Sequence, residues 1–406
     1  MSESFIEEKY KLSRNPFPPA ASGIDVERDL YIPSRWKERI GDYYETLHHG
    51  EGAKVFPIVG EYGSGKTVLL KGYLKEFFEN NRTKAIYFEN PGVNFYDLAN
   101  TLMRSLGRYE FSKALWERCK EGLVERGGQK RLFPMSFSGM LSTLKTKTDR
   151  ENKARELLTI IKDKLNLTDD EEVAYKLGLM IVETASKPYF TYRDFVAGIK
   201  GSLVAEKEES EYFKAVIKAI IETYGTESVA FLIDEFEEVA FPKRMTRKQT
   251  YEYLATLRSL IEISKSEENL WIILAMTQEA VNATKEMDPA LWERVTHQEE
   301  ETVLTLEPLT DYESKELLKW WLNRARGKEE LKEYHNTLFP FPDSIENVLK
   351  RPEVRLPRPL VRIGFFILAR AEKEKIEAPI PIDFIEKIIN ELYPPPINGV
   401  SENGRE

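Results

Sequence analysis

Residues 55–71, VFPIVGEYGSGKTVLLK, constrain this chain more than any other stretch. Val55 to Val59 are mostly apolar and predict a buried strand. Gly60-Glu61-Tyr62-Gly63-Ser64-Gly65-Lys66-Thr67 follows at once, and then Val68, Leu69, Leu70, Tyr73, Leu74 and Phe77 recur at helical spacing. Strand, glycine-rich loop and helix are the context that turns the pattern G-x-x-x-x-G-K-[ST] into a phosphate site. The glycines let backbone N–H groups close around phosphates without a Cβ in the way. The helix that begins near Lys66 points its positive end at the anion. Lys66 reaches the β- and γ-phosphates as a point charge, and Thr67 offers a hydroxyl to Mg²⁺. Residues Gly60 to Val68 are therefore the candidate ATP ligands, with Mg²⁺ as the companion ion.

A chain of 406 residues is too long for one simple core and predicts two or three domains. Its net charge of −9 argues against a general affinity for nucleic acid, although a local basic region stays open. The single cysteine, Cys119, excludes an intramolecular disulfide and suits a reducing, cytoplasmic setting. It lies in a helical pattern and reads as a small packed residue. The start, MSESFIEEKY, is acidic and lacks an apolar core, so no secretory signal is expected. No run of about 18 apolar residues predicts a membrane span. A charged fraction of 31 %, rich in Glu and Lys, leans towards a thermophilic, archaeal-type source.

Residues 1–36 are punctuated by prolines and read as an irregular segment flanking the loop. A helix is predicted over 34–50, strands over 84–89, 229–233 and 270–276, and helices over 95–107, 207–224 and 246–264. Apolar runs alternating with helices predict an α/β fold: a P-loop parallel sheet flanked by helices. That core spans 37–302, with a helical insertion at about 108–205. Beyond it, helices at 311–326, 329–338, 343–350, 358–374 and 382–392, jointed by prolines, predict an all-α lid domain over 303–393. Residues 394–406 read as a disordered polar tail.

The strand at 229–233 runs into Asp234-Glu235. In open α/β sheets ligands lie at the carboxyl ends of strands, so Asp234 is the candidate Mg²⁺ ligand and Glu235 the candidate base for an attacking water. Glu237 and Glu238 read as surface charge. Thr277, preferred to Gln278, ends the strand at 270–276 and is placed to touch the γ-phosphate or the water. Arg294 could reach the transferred phosphoryl group of a neighbouring subunit. Arg358, in Leu356-Pro357-Arg358-Pro359-Leu360-Val361-Arg362, could reach the phosphates from the lid, with Arg355 and Arg362 as competitors.

Taken together, GEYGSGKT, LIDE, the strand ending in Thr277, Arg294 and PRPLVR resemble the AAA+ class of ATPases. The order after Asp234 is similar to the group that includes origin-recognition initiators. Asn15-Pro16-Phe17 followed by Leu30-Tyr31 resembles ExeA- and TniB-type ATPases. The resemblance implies a Walker A loop at 60–67, a Walker B strand at 229–235, sensor 1 at Thr277, an arginine finger at Arg294 and sensor 2 at Arg358. It also implies adenine held near residues 15–35 and the lid, and assembly into homo- or hetero-oligomers. Two features depart from the pattern. About 160 residues separate Thr67 from Val229, and too few follow residue 392 for a winged-helix domain. The long insertion and the Asp-Glu-Phe-Glu acid strand also resemble ATP-binding proteins of BREX-type phage defence.

From Lys113 to Lys164 there are 13 Lys plus Arg against 7 Asp plus Glu, a net +6, leaving −15 for the rest of the chain. With Arg126-Gly127-Gly128-Gln129-Lys130-Arg131 as a loop tip, that stretch is the candidate DNA interface. Two function classes are expected. One is a motor or switch ATPase acting on DNA or a DNA-bound assembly. The other is a nucleotide-dependent scaffold, of transposition, secretion or phage-defence type, that recruits partner proteins.

Overall fold

Four apolar runs form the centre of a parallel sheet. In the computed structural model these are β1 (Lys54–Val59), β2 (Thr83–Phe88), β3 (Ser228–Ile233) and β4 (Leu270–Met276). The structure describes residues 4–19, 30–50, 52–124, 136–184, 206–234, 246–267, 269–297 and 302–394. A two-residue strand, β5 (Leu304–Thr305), completes the order β2-β3-β4-β1-β5. It is too short for any sequence pattern to announce. Every residue of β3 and β4 is buried, which requires helices on both faces and explains their unbroken apolar character. The fold is thus α/β, a parallel sheet flanked by helices.

The register sets what stands at the carboxyl edge. Val59 pairs with Met276, Leu274 with Ile233, and Ile233 with Phe88. Strands β1 and β3 are separated by β4, hence by about 10 Å. Thr277 therefore emerges between the ends of the strands that lead into Gly60 and into Asp234.

The helices, in chain order, are α1 (Phe5–Tyr10), α2 (Ser34–His49), α3 (Lys66–Val68), α4 (Lys75–Asn80), α5 (Phe95–Leu106), α6 (Arg108–Val124), α7 (Phe137–Thr143), α8 (Lys147–Asp163), α9 (Glu171–Val182), α10 (Glu206–Tyr224), α11 (Arg247–Ser266), α12 (Gln278–Met287), α13 (Pro289–Val295), α14 (Asp311–Arg324), α15 (Ile345–Leu349), α16 (Pro357–Lys373) and α17 (Ile382–Leu392). A π-helical turn, Leu69–Leu74, joins α3 to α4.

The described residues form two compact units. One draws on 39–59 and 73–304, the other on 1–38, 60–72 and 305–406. In the first, α10 and the insertion before it share the sheet's own core. Phe213 of α10 meets Phe231 of β3 and Phe95 of α5, with ring centroids 6.0 and 4.9 Å apart. Trp116, Leu157, Ile161 and Leu177 belong to the same buried cluster. Helices α8 and α9 approach closely at Gly178, where a Cβ would lie 2.7 Å from the Ala154 carbonyl. Cys119 is buried in this core, and burial pushes its thiol up to about 12, so it is protonated and inert at neutral pH.

The second unit contains the glycine-rich loop, residues 60–67, which the sequence assigned to the sheet core. The reason is close approach: a Cβ on Gly60 would lie 3.1 Å from Leu306 Cβ, and one on Gly63 3.1 Å from Arg358 Cβ. The N-terminal segment is not wholly irregular. Phe5–Tyr10 form a helix capped by Ser4, because Ile6 and Tyr10, four apart, bury the same face. The helix expected over 329–338 is a shorter 3-10 turn, Glu329–Tyr334. The fully buried Arg326 donates to the carbonyls of Tyr334, Thr337 and Phe339, so that carbonyl row serves the guanidinium instead of a continuing helix. Burial lowers the Arg326 pKa to about 10, and it stays charged at neutral pH.

Candidate functional site

Gly63 and Gly65 have φ of +87° and +100°, a left-handed backbone that favours glycine. A Cβ on Gly60 would lie 2.4 Å from Ser64 Oγ. These constraints curl the loop so that Lys66, only 6 % exposed, donates from Nζ to the carbonyls of Gly60 at 2.9 Å and Glu61 at 3.4 Å. Buried Ser64 Oγ has no hydrogen-bond partner among the described residues. Such an orphan inside a cradle of glycines calls for an explanation, and a phosphate-type acceptor fits it. Glu61 and Tyr62 are exposed, while Thr67 and Val68 are half-buried at the helix start.

The first turn of α16 packs on this loop. The Arg358 N–H donates to the Gly63 carbonyl at 3.2 Å, and the guanidinium lies 4.5 Å from the centre of the exposed Tyr62 ring. Of the three competing arginines, Arg358 is the one against the loop. Arg355 pairs with Asp311 at 2.7 Å, and Arg362 lies over Phe366. Asn15 and Phe17, in the segment where adenine was expected, contact α16: Asn15 Nδ2 donates to the Phe365 carbonyl. Residues 20–29 lie outside the described residues.

At the sheet edge, Asp234 is 2 % exposed and its Oδ2 accepts the Tyr87 hydroxyl at 2.9 Å. Sequence reasoning missed Tyr87. Its signal was the strand register, which pairs Tyr87 with Leu232, two residues before the acid. Buried Thr277 caps α12, accepting the Ala280 N–H at 3.3 Å. A hydroxyl that accepts here can still donate its proton elsewhere. Gln278 is exposed and donates to Asn282. Arg294 on α13 makes an exposed ion pair with Glu262 at 2.8 Å. Glu235, Glu237 and Glu238 lie outside the described residues.

The stretch singled out for DNA looks different in space. Lys120 pairs with Glu117, Arg118 with Glu121, Lys147 with Glu151, Lys153 with Glu156 and Lys162 with Glu171. The tip residues Arg126, Lys130 and Arg131 lie outside the described residues. No helix among the described residues is long and apolar enough to cross a membrane. Comparison with protein-family models finds no match, and no curated protein matches the chain.

Proposed function

We propose that this protein binds ATP with Mg²⁺ and hydrolyses it to ADP and phosphate, as an AAA+-like ATPase whose C-terminal helices serve as a lid. The observation that carries the reading is the loop itself: left-handed Gly63 and Gly65, the buried Lys66 ammonium across the loop carbonyls, and the unpartnered Ser64 hydroxyl. An alternative reading, a glycine turn with an accidental Lys-Thr, gives no reason for a lysine to be buried there.

In this proposal the backbone N–H groups of 60–68 and Lys66 hold the phosphates. Thr67 and Asp234 would hold Mg²⁺, which neutralises charge on the β- and γ-phosphates. Each is a hard oxygen donor of the kind that Mg²⁺ takes. Glu235 accepts a proton from the attacking water, and Thr277 orients that water with its remaining donor. Arg358, already against the loop, reads the phosphates from α16. Arg294 acts on the nucleotide of a neighbouring subunit.

The ion pairs of the insertion bear on the choice between a DNA motor and a scaffold, and the salt dependence of any DNA association decides it. The test is equilibrium binding of a fluorescent ATP analogue and Mg²⁺-dependent phosphate release, for the wild type and Lys66→Ala. Charge-assisted hydrogen bonds contribute about 1.5–3 kcal/mol, so Lys66→Ala should lose roughly 10- to 100-fold in affinity while circular dichroism is unchanged. Unchanged affinity would mean that the nucleotide site lies elsewhere.

A further inference from the structure

Asn15-Pro16-Phe17 is built onto α16. Asn15 Nδ2 donates to the Phe365 carbonyl at 3.1 Å, and Asn15 Oδ1 accepts the Phe17 N–H at 3.2 Å, so one amide ties the turn to the helix. The Phe17 ring is buried between Trp321 and Phe341, with centroids 6.2 and 6.4 Å away. Its tip points at the backbone of Gly364. A Cβ there would lie 2.8 Å from Phe17 Cζ and 2.9 Å from both Cε atoms. Glycine is a poor residue for mid-helix, so Gly364 needs a packing reason, and the Phe17 ring supplies it. Upstream, Ser13 donates to the Ala325 carbonyl through both its N–H and its hydroxyl, and Tyr10 donates to the Ile376 carbonyl. The turn is therefore held by more than its own bonds.

Gly364 lies six residues beyond Arg358 on the same helix, about 9 Å along its axis. At its start, that helix meets the phosphate loop through Arg358 on Gly63 and Tyr62. A shift or rotation of the helix at Gly364 is thus a displacement of Arg358.

We propose that Asn15, Phe17 and Gly364 form a clamp that fixes the axial and rotational placement of α16, and through it the placement of Arg358 over the loop. They are positioning residues. Asn15 and Phe17 act on the nucleotide through the arginine, not by touching its base. The nucleotide part of this inference rests on the ATP reading above; the placement of the helix does not.

The test uses the full chain with Gly364→Ala, Phe17→Leu and the double variant. Amide hydrogen exchange over 357–363 and 60–66 is measured without nucleotide, and ATP-analogue affinity and phosphate release are measured alongside. Gly364→Ala should speed exchange at both segments. It should also weaken ATP affinity roughly 10- to 100-fold, the scale on which an ångström of misplacement acts. Leucine lacks the ring atoms that the new Cβ meets, so the double variant should return to within about threefold of wild type. In an Arg358→Ala background, Gly364→Ala should have no further effect on affinity, a non-additivity that a general loss of stability would not produce. Asn15→Asp, which removes the donor and sets a carboxylate against the Phe365 carbonyl, should change exchange and affinity in the same direction. Should Gly364→Ala fail to fold, Asn15→Asp carries the test.

Wild-type exchange and affinity in Gly364→Ala or Asn15→Asp would overturn the clamp. So would a Gly364→Ala defect that Phe17→Leu leaves in place. If the wild-type protein binds no ATP, the ATP reading falls, and the exchange data still decide the clamp.

Discussion

The glycine loop at 60–67 and the helical insertion both draw a functional reading from the sequence, one through glycine spacing and the other through positive charge, yet their lysines have opposite surroundings. Lys66 is buried and held by carbonyls of its own loop. In the insertion, Lys120, Lys147 and Lys153 each face a glutamate three or four residues away on the same helix. Such pairs contribute only a few tenths of a kcal/mol and recur on solvated helix faces. A charge sum counts signs over a stretch; it does not say which cation is already answered one turn along. The loop needed no sum, because two left-handed glycines and the strand before them dictate where its lysine goes.

The sharpest challenge to that contrast is Arg294. Its pair with Glu262 is exposed like those of the insertion, yet it is assigned a role at a neighbour's nucleotide. Removing such a guanidinium lowers hydrolysis by roughly 10³–10⁵ in other systems, whereas breaking an exposed ion pair costs about 0–1 kcal/mol of stability. Arg294→Ala should therefore bind ATP, unfold at nearly the wild-type temperature and lose hydrolysis. Mixing it with Lys66→Ala should restore part of the activity, since one interface then pairs an intact arginine with an intact loop. Full turnover by Arg294→Ala would return the residue to the class of the insertion's pairs.

Next in size is Glu235→Gln. A positioned base contributes typically 10²–10⁴ in rate, so phosphate release should slow by about that factor while ATP binding and Asp234 are unaffected. Normal turnover would remove Glu235 from the reaction and turn attention to Thr277 and Tyr87, the other hydroxyls described at that edge.

The sequence made the middle of the sheet legible because β3 and β4 are buried throughout and read as near-continuous apolar runs; they begin and end within a residue of their predicted limits. The loop was legible for a different reason: glycine, lysine and threonine spacing is itself the geometry. What stayed hidden depends on contacts far apart in the chain. Nothing local ties Phe17 to Gly364, or Tyr87 to Asp234. The six-residue α1 carries only one i, i+4 apolar pair and β5 has only two residues, and the fate of 329–338 depended on Arg326 claiming its carbonyls.

The smallest expected effect sharpens the comparison most directly. Lys153 donates to Glu156 at 2.6 Å and lies 5.5 Å from the centre of the Trp116 ring, so its stem and its charge both have structural work. If DNA binds this chain at all, each phosphate neutralised adds about 0.9 to the slope of log affinity against log salt. Lysines already paired one turn away should add little. The combined change Lys120→Gln, Lys147→Gln, Lys153→Gln should alter that slope by less than about 0.5, and Lys66→Ala should leave it unchanged. Neutralising Lys130 and Arg131, which lie outside the described residues, should flatten the slope by up to about two. Filter binding or anisotropy of a labelled duplex between low and moderate salt gives all of these slopes. A loss near one per lysine in the triple variant would mean that the glutamates release their partners to DNA, and the contrast between loop and insertion would dissolve. Association with no salt dependence, or none at all, would leave the insertion as a protein-facing surface, as the scaffold reading requires.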